Sequence, residues 1–442
     1  GRRWHRRGRF HRYDPVMAIG IGIAGAGTVG GCLLRRLVEE SAVLKAKTGL
    51  DLEVRLVAVR DTSKSRPGIP PDIITDDVMA LVSDPEVALV VEVMGGLEPA
   101  GNLVLASLRA GKPVITANKE LIAARGPELF AAAADAGVPL LFEAAVGGGI
   151  PIIRPLTETL AGEQVDRVLG IVNGTTNYIL TSMADEGVGY AEALDAAQRL
   201  GYAEPDPTAD VSGADAAAKA AILAGLAFGT WVEPDQIHTE GITDITDADF
   251  KSAEQLGFAI RLLAVAERRS DGVSVRVHPV MLPVDHPLAA IRGATNAIYI
   301  KGSSVGELLF AGPGAGGEPT ATAVLGDVID AARELLSGSQ VAPAIRVEPG
   351  EVVDFGKVNT QWYLRLEVAD SPGVLSQIAA AFADAGVSLG SVRQEGRGDS
   401  ATLVLVTHTA PEAAQQAAVA TLRSLEVVET VASSIRVESE EA

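Results

Sequence analysis

The chain has one cysteine, Cys32, in 442 residues. That excludes an internal disulfide framework and any cysteine cluster for zinc. Its six histidines are scattered without pairing, which argues against a transition-metal site. No stretch reaches the roughly 20 apolar residues that a membrane span needs, and no internal repeat recurs at solenoid spacing. Positive charge is also short. Against 57 Asp and Glu stand 37 Lys and Arg, and the net charge of −20 speaks against nucleic acid as a partner. Residues 1–16, with RRWHRRGRFHR, run against that balance and read as a disordered basic leader. The twin arginines do not make an export signal, because the apolar run behind them, GIGIAGAGTVG, reads as a strand and a glycine loop. A cytoplasmic protein fits these absences.

A hydrophobic content of 47% with 21% charged residues is ordinary for a globular chain, and the length calls for two or three domains. Residues 17–150 alternate short apolar strands with helical stretches, the pattern of a doubly wound α/β parallel sheet of the Rossmann type. Residues 151–318 read as an α+β substrate and dimerisation domain, with VSVRVHPVML and AIYIKG as antiparallel strands. The loop GPGAGG opens a helix over 319–337 that completes the first domain. Residues 338–358 look like a proline-bearing linker. Residues 359–438 run strand, helix, strand, strand, helix, strand, the ferredoxin-like order.

GAGTVG, residues 25–30, follows a strand and opens a helix, the context of a dinucleotide fingerprint. Gly25, Gly27 and Gly30, with Thr28 and Val29, let a backbone and a helix N-terminus approach a pyrophosphate. After the second strand come Arg60, Asp61 and Lys64. Arg60 suits a 2′-phosphate, so NADP(H) leads, while Asp61 keeps NAD(H) open. Lys119, in TANKE, sits where a parallel strand gives out and so faces a ligand of an open α/β sheet. EAAVGGGIP, 143–151, offers main-chain carbonyls that hold a hard monovalent cation or form a hinge. GYAEPDPTADVSGADAAAK, 201–219, gathers Glu204, Asp206, Asp210, Asp215 and Lys219. Ser212 and Asp215 form a capping box, which predicts a helix from Ser212. Lys219 falls on the stripe of Ile222, Leu223 and Leu226, where a lysine is costly unless paired. Asp215, one turn earlier, is its expected partner.

These motifs, with FEAAVGGGIPII, NGTTNYIL and GAGGEPTATAVLGDV, resemble in kind and order the homoserine dehydrogenase family over about residues 18–337. The resemblance implies NAD(P)-linked interconversion of L-aspartate 4-semialdehyde and L-homoserine, on the route to threonine and methionine. It implies Lys219 as proton donor and Lys119 as a second catalytic lysine near the nicotinamide. Glu204 and Asp215 would bind substrate with Asp210 in support, and Gly201 and Gly316 would touch the cofactor. A sodium site would map to Glu143, Val146, Gly148 and Ile150. The segment LRLEVADSPGVLSQIAAAFADAGVSLGSVRQEG resembles an ACT domain, an amino-acid-sensing module. Asp370, Gly373, Val374 and Leu375 would wall its effector pocket, with L-threonine as the effector this branch favours. ACT units pair across subunits, so a homodimer or homotetramer is expected. A phosphorylating semialdehyde dehydrogenase is excluded, since Cys32 sits beside the cofactor loop and no other thiol exists. A catalytically silent nucleotide- and amino-acid-binding sensor is the remaining alternative.

Overall fold

The computed structural model describes residues 18–66, 68–338, 345–395 and 400–438. The basic leader expected over 1–16 lies outside the described residues. Six parallel strands form the first sheet: β1 (Ile19–Ala24), β2 (Leu52–Ala58), β3 (Ile74–Thr75), β4 (Leu89–Glu92), β5 (Val114–Thr116) and β6 (Leu140–Leu141). Their order is β3-β2-β1-β4-β5-β6, so the chain reverses direction across the sheet between β1 and β4. Ligands of such sheets lie outside the strand ends at that point. β1 is buried along its whole length, as a central parallel strand covered on both faces must be. On one face, helix Thr28–Glu39 packs with helix Gly317–Ser337. Ile21, Ile23, Leu33, Val57 and Val91 share one core there with Ala321, Val324, Leu325 and Val328. The chain thus returns to this sheet after building the second unit.

That second unit is built on β7 (Val165–Ile171), β8 (Thr230–Trp231), β9 (His238–Thr239), β10 (Phe258–Arg269), β11 (Gly272–Pro283), β12 (Thr295–Gly302) and β13 (Gly306–Pro313). β10 and β11 form a long antiparallel hairpin, and β7 pairs antiparallel with both β10 and β12. Helix Ala214–Phe228 lies across β7, β10 and β11. β13 runs to Pro313, into the stretch that the sequence reads as a glycine-rich loop.

The last strands are β14 (Glu348–Pro349), β15 (Asn359–Ala369), β16 (Leu389–Glu395), β17 (Ser400–Thr407), β18 (Ala410–Pro411) and β19 (Val428–Val437). With helices Val374–Asp384 and Glu412–Leu422 they give the order β19-β15-β17-β16, the split βαβ arrangement. The observed order is the predicted one, with the two-residue strand β18 added.

The unit is joined to the rest: β19 pairs parallel to β11, Val280 opposite Arg436 and Met281 opposite Val437, giving one continuous eleven-stranded sheet. The linker reading needs one correction, since the described part of 338–358 is docked rather than loose. Glu348 donates its N–H to the Gly229 carbonyl at 3.0 Å, Val353 donates to the Val273 carbonyl at 2.9 Å, and Val353 and Val358 are buried. Prolines signal a break in helix or strand, but they do not forbid irregular backbone from pairing with an edge.

Truncation after Val358 would therefore uncover the β11 edge and strip Tyr363, Ile435 and Val437 from the core they share with the second unit. We expect the truncated chain to melt at a lower temperature and to aggregate, read by calorimetry and light scattering. A truncated chain as stable and monodisperse as the parent would show the two units to be independent.

Candidate active site

At the tip of β1, Gly25 takes a φ of +104°, and a Cβ there would lie 2.7 Å from the Val93 carbonyl oxygen. Gly30 lets the helix sit against the loop, since its Cβ would fall 2.1 Å from the Gly25 carbonyl oxygen. Gly27 differs: no protein atom lies within 4 Å of its Cβ position, and it caps helix Thr28–Glu39 without any side-chain bond. The first turn of N–H groups is thus left open beside free space, which fits a dinucleotide pyrophosphate. A Cβ on Gly317 would meet Thr28 Cγ2 at 3.1 Å, so Gly316 and the N-terminus of helix Gly317–Ser337 adjoin the same loop. Arg60 is exposed just past β2. Asp61 turns back on its own loop, accepting the Ser63 N–H at 3.0 Å and the Ser63 hydroxyl at 2.6 Å. Those hydrogen bonds hold its carboxyl below the ordinary range.

Helix Lys119–Ala136 starts at the end of β5, capped by Asn118, whose Oδ1 accepts the Leu121 N–H at 3.1 Å. Lys119 is its first residue, where the helix dipole disfavours a cation. Its Nζ instead lies 2.7 Å from Asp215 Oδ1, across the boundary between the two units. Lys219 Nζ lies 2.7 Å from Asp215 Oδ2 and donates to the Val172 carbonyl at 2.6 Å. Asn173 donates from Nδ2 to Asp215 Oδ2 at 2.9 Å and to Asp210 Oδ1 at 2.7 Å. The Asp215 and Lys219 side chains are 6% and 10% exposed, whereas Lys119 is 36% exposed and lies toward solvent. Burial works against charge on Asp215, but the two lysines outweigh it and hold the carboxyl far below its usual range. Burial likewise pulls the Lys119 ammonium down, and Asp215 overrides it to leave the group raised.

The capping box does not form. A four-residue turn, Thr208–Val211, is followed by Gly213 at φ +87°, and the helix begins at Ala214 with no side-chain cap. Asp215 cannot reach back to cap the helix because both of its oxygens are taken by Lys119, Lys219 and Asn173.

A cavity of about 1090 Å³ opens here, lined by Lys119, Gly201, Glu204, Asp210, Asp215, Lys219 and Gly316 among others. It does not take in Gly25 to Gly30, Arg60 or Lys64, which lie at the tips of β1 and β2. Glu204 is exposed on the cavity wall. Two residues escaped the sequence reading. Asn173 also caps helix Gly174–Glu186, its Oδ1 accepting the Thr176 N–H at 2.8 Å, so an Asn before a helical GTTN was the available signal. Asn296 lines the cavity at 1% exposure, and its Oδ1 has no hydrogen-bond partner among the described residues. Nothing in its strand sequence marks it.

None of the expected cation residues lines that cavity, though Gly148 and Ile150 abut its wall at Gly314 and Gly312. The Glu143 side chain accepts the N–H groups of Ile152, Ile153 and Arg154 at 2.5, 2.8 and 3.0 Å, and Arg154 Nε is 3.8 Å away. Val146, Gly148 and Ile150 are buried. The carboxylate is already neutralised, so a hard cation would have to be held by carbonyl oxygens. In the C-terminal unit, Gly373 caps helix Val374–Asp384, Val374 is buried and Leu375 is exposed. Asp370 Oδ1 accepts from Gln394 Nε2 at 3.2 Å, tying this loop to β16.

A Rossmann sheet with an open glycine loop at its switch point and a lysine–carboxylate cavity beyond the end of β5 fits a nicotinamide-nucleotide-dependent oxidoreductase. Comparison with known proteins narrows the class. A family model described as "Homoserine dehydrogenase, NAD binding domain" matches residues 25–143, "Homoserine dehydrogenase" matches 151–329, and "ACT domain" matches 362–427. The chain is 47% identical over 429 residues to a homoserine dehydrogenase from Corynebacterium glutamicum, covering 96% of each chain. It is 48% identical to one from Mycobacterium tuberculosis, covering 95% of this chain and 98% of the relative. The crystal structure of a homoserine dehydrogenase from Thiobacillus denitrificans superposes with a TM-score of 0.91 at 39% identity, over 97% of this chain and 100% of that one. A hyperthermophilic archaeal homoserine dehydrogenase in complex with NADPH superposes at 0.63 and 30% identity, over 75% of this chain and all of that one. The chain belongs to the homoserine dehydrogenase family.

Asp215→Asn should strand two ammonium groups. Asp215 is depressed below its unfolded value of about 3.9, so its contribution is complete above that pH and lost as pH falls through the folded value. Lys119 is raised, so its part is complete below about pH 10.4 and lost as pH rises through the folded value; solvent screens it. The parent cluster therefore contributes evenly across neutral pH. In Asp215→Asn we expect a loss of about 3–5 kcal/mol at pH 6 that shrinks by pH 9, as the unpaired lysines shed protons. Denaturant unfolding at the two pH values measures it, and an equal loss at both would contradict the assignment.

Proposed function

We propose that the protein interconverts L-aspartate 4-semialdehyde and L-homoserine, using NADP(H) in preference to NAD(H). The observation that carries this reading is Asp215 clamped between Lys119 and Lys219, on a cavity at the carboxyl end of a Rossmann sheet. Bound nicotinamide supplies the hydride in the reductive direction. The alkoxide that forms then needs a proton, and the chain must supply it.

Lys219 is the donor. An ammonium carries three N–H groups. Asp215 and Val172 take two, and the third has no acceptor among the described residues on a side chain that lines the cavity. Fixing two of the three orients the last one, and positioned acid catalysis is worth about 10²–10⁴-fold. Lys119 adds positive charge between the nicotinamide side and the substrate carbonyl. Glu204 takes the substrate ammonium, Asp215 aligns both lysines against it, and Asp210 steadies Asn173. Gly201 and Gly316 leave room for cofactor at the cavity rim. Arg60 and Lys64 offer charge to a 2′-phosphate, and Asp61, turned into its own loop, is poorly placed to take a ribose hydroxyl. Carbonyls of Glu143, Val146, Gly148 and Ile150 would hold a sodium ion at the junction of the two units. The C-terminal unit would read L-threonine at Asp370, Gly373, Val374 and Leu375, in a homodimer or homotetramer.

The direct test is NADPH oxidation with the semialdehyde, with NADH in parallel and with and without L-threonine. Absence of turnover with both cofactors would overturn the reading. In the same assay, Lys219→Ala should lower turnover by about two decades or more while sparing fold and cofactor binding. A near-normal rate would remove Lys219 from the chemistry. Arg60→Ala should weaken NADP(H) far more than NAD(H), since only the former has the 2′-phosphate. Equal losses for the two cofactors would show that Arg60 does not read it.

A further inference from the structure

The turn Val211–Gly213 has an active-site carboxylate on either side, Asp210 just before it and Asp215 two residues after. Its backbone is fixed from outside by the strip that leaves β9. Ile242 donates its N–H to the Val211 carbonyl at 3.0 Å. A Cβ on Gly241 would lie 2.2 Å from the Val211 carbonyl oxygen and 2.9 Å from Ser212 Cα. A Cβ on Gly213 would meet Thr239 Cγ2 at 2.9 Å and the Glu240 carbonyl oxygen at 3.2 Å. At Gly241 the two backbones touch directly, and at Gly213 the Thr239 methyl and the Glu240 carbonyl lie against the turn, so a shift of residues 239–242 is passed to the turn.

The strip's backbone is pinned to β11, where Glu240 donates its N–H to the Val277 carbonyl at 2.8 Å, and the Glu240 side chain is held by a residue of the C-terminal unit. Arg436, on β19, is 5% exposed at its side chain. Its Nη1 and Nη2 donate to the two oxygens of Glu240 at 2.6 and 2.8 Å. Nη2 also donates to Glu412 Oε1 at 2.6 Å, and the guanidinium lies 5.0 Å and 4.9 Å from the ring centres of Phe355 and Trp362. Glu412 is fully buried and accepts from Thr360 Oγ1 at 2.7 Å and Trp362 Nε1 at 3.0 Å. His238 Nε2 lies 2.7 Å from Glu240 Oε1, and the His238 ring stacks on Phe355 at 4.1 Å. Bidentate pairing on a guanidinium fixed by stacking and by a second carboxylate is geometrically strict.

We propose that Glu240 and Arg436 are positioning residues for the catalytic cluster: the fork of Arg436 sets Glu240, and Glu240 sets the turn that aims Asp210 and Asp215. This rests on reading the Lys119–Asp215–Lys219 cavity as the active site. Neither residue lines the cavity, so their effect on the reaction runs only through the turn. The C-terminal unit therefore completes the active site in addition to adding a sensor to it. A second contact between the same units supplies the control. Arg365, on β15, donates to Asp249 Oδ1 at 3.2 Å and Thr246 Oγ1 at 3.1 Å, on the helix cap that follows the strip and not on residues 239–242.

The test uses the full chain with Glu240→Gln, which keeps the side chain's length and removes its charge, and with Arg436→Lys and Arg365→Lys, which keep the charge and remove the fork. L-homoserine oxidation, NADPH binding by fluorescence, and hydrogen exchange of peptides spanning 208–218 are measured for each. For Glu240→Gln and Arg436→Lys we expect kcat/KM for homoserine to fall about tenfold or more, with faster exchange at 208–218 and an NADPH Kd within about twofold of the parent. Arg365→Lys should stay within about twofold on all three readouts. If one of the first two fails to fold, the other decides. The proposal is overturned if both keep the parent's kcat/KM, if NADPH affinity falls in step with it, or if Arg365→Lys loses as much. An inactive parent would overturn the reading of the cavity, and this proposal with it, whereas an active parent with unaffected variants overturns this proposal alone.

Discussion

The site depends on keeping one carboxylate, Asp215, ionised inside the protein. Burying a charge costs several kcal/mol even after relaxation, and only close opposite charges and further hydrogen bonds offset it. Lys119, Lys219 and Asn173 supply both, and they come from three different helices. Removing Asp215 leaves two ammonium groups without a counter-charge, whereas removing one lysine leaves the other to hold the carboxylate. The cluster therefore acts as a register between the two main units: Lys119 belongs to the cofactor side, Lys219 to the substrate side, and their shared carboxylate fixes the distance between them. Hydride transfer needs such alignment, because misplacement by about 1 Å can cost about 10²-fold in rate.

Helix geometry explains why a carboxylate sits at the centre. Asp215 lies in the first turn of helix Ala214–Phe228, where the positive end of the dipole favours it. Lys119 opens helix Lys119–Ala136, where the same effect opposes a cation. Two helix N-termini thus converge on one cavity. A negative side chain serves both, and the lysine at the less favourable position is retained by its 2.7 Å contact with Asp215. Glu92 shapes the neighbouring loop, its Oε1 accepting the Met94 N–H at 2.7 Å and its Oε2 the Thr116 hydroxyl at 2.6 Å. The ends of β4 and β5 are held together by that side chain.

Much of this was legible in the chain. The Rossmann order follows from short apolar runs alternating with amphipathic helices, and the Lys219–Asp215 pair follows from a lysine on an apolar stripe. Local patterns encode local partners. The Lys119–Asp215 contact spans 96 positions and depends on how two units meet, which no periodicity records. The capping box failed because a local signal at Ser212 was overridden by a tertiary demand on Asp215. The linker reading failed for a related reason: prolines and loop composition describe the backbone of 345–358 but not the edges it finds at β8 and at Val273. Asn173 was half visible as a helix cap, while its second role, bridging Asp210 and Asp215, needed the fold.

The join between the C-terminal unit and the rest has two unlike edges. One is apolar, where Tyr363, Ile435 and Val437 enter the core of the second unit, and β19 adds two residue pairs to β11. The other is polar: Arg436 with Glu240, Arg365 with Asp249, and Arg393 with Gln255 at 2.7 Å. Apolar burial resists separation but tolerates small slides, whereas forked ion pairs are strict about angle and distance. A joint of this kind stays attached while remaining sensitive to rotation of one sheet against the other. β19 lies between β11 and β15, and the loop at Asp370 to Gly373 departs from β15. A change at that loop and a change at the Glu240 contact are therefore separated by two hydrogen-bonded strands. Two strands are thus the shortest hydrogen-bonded path between that loop and the Glu240 contact.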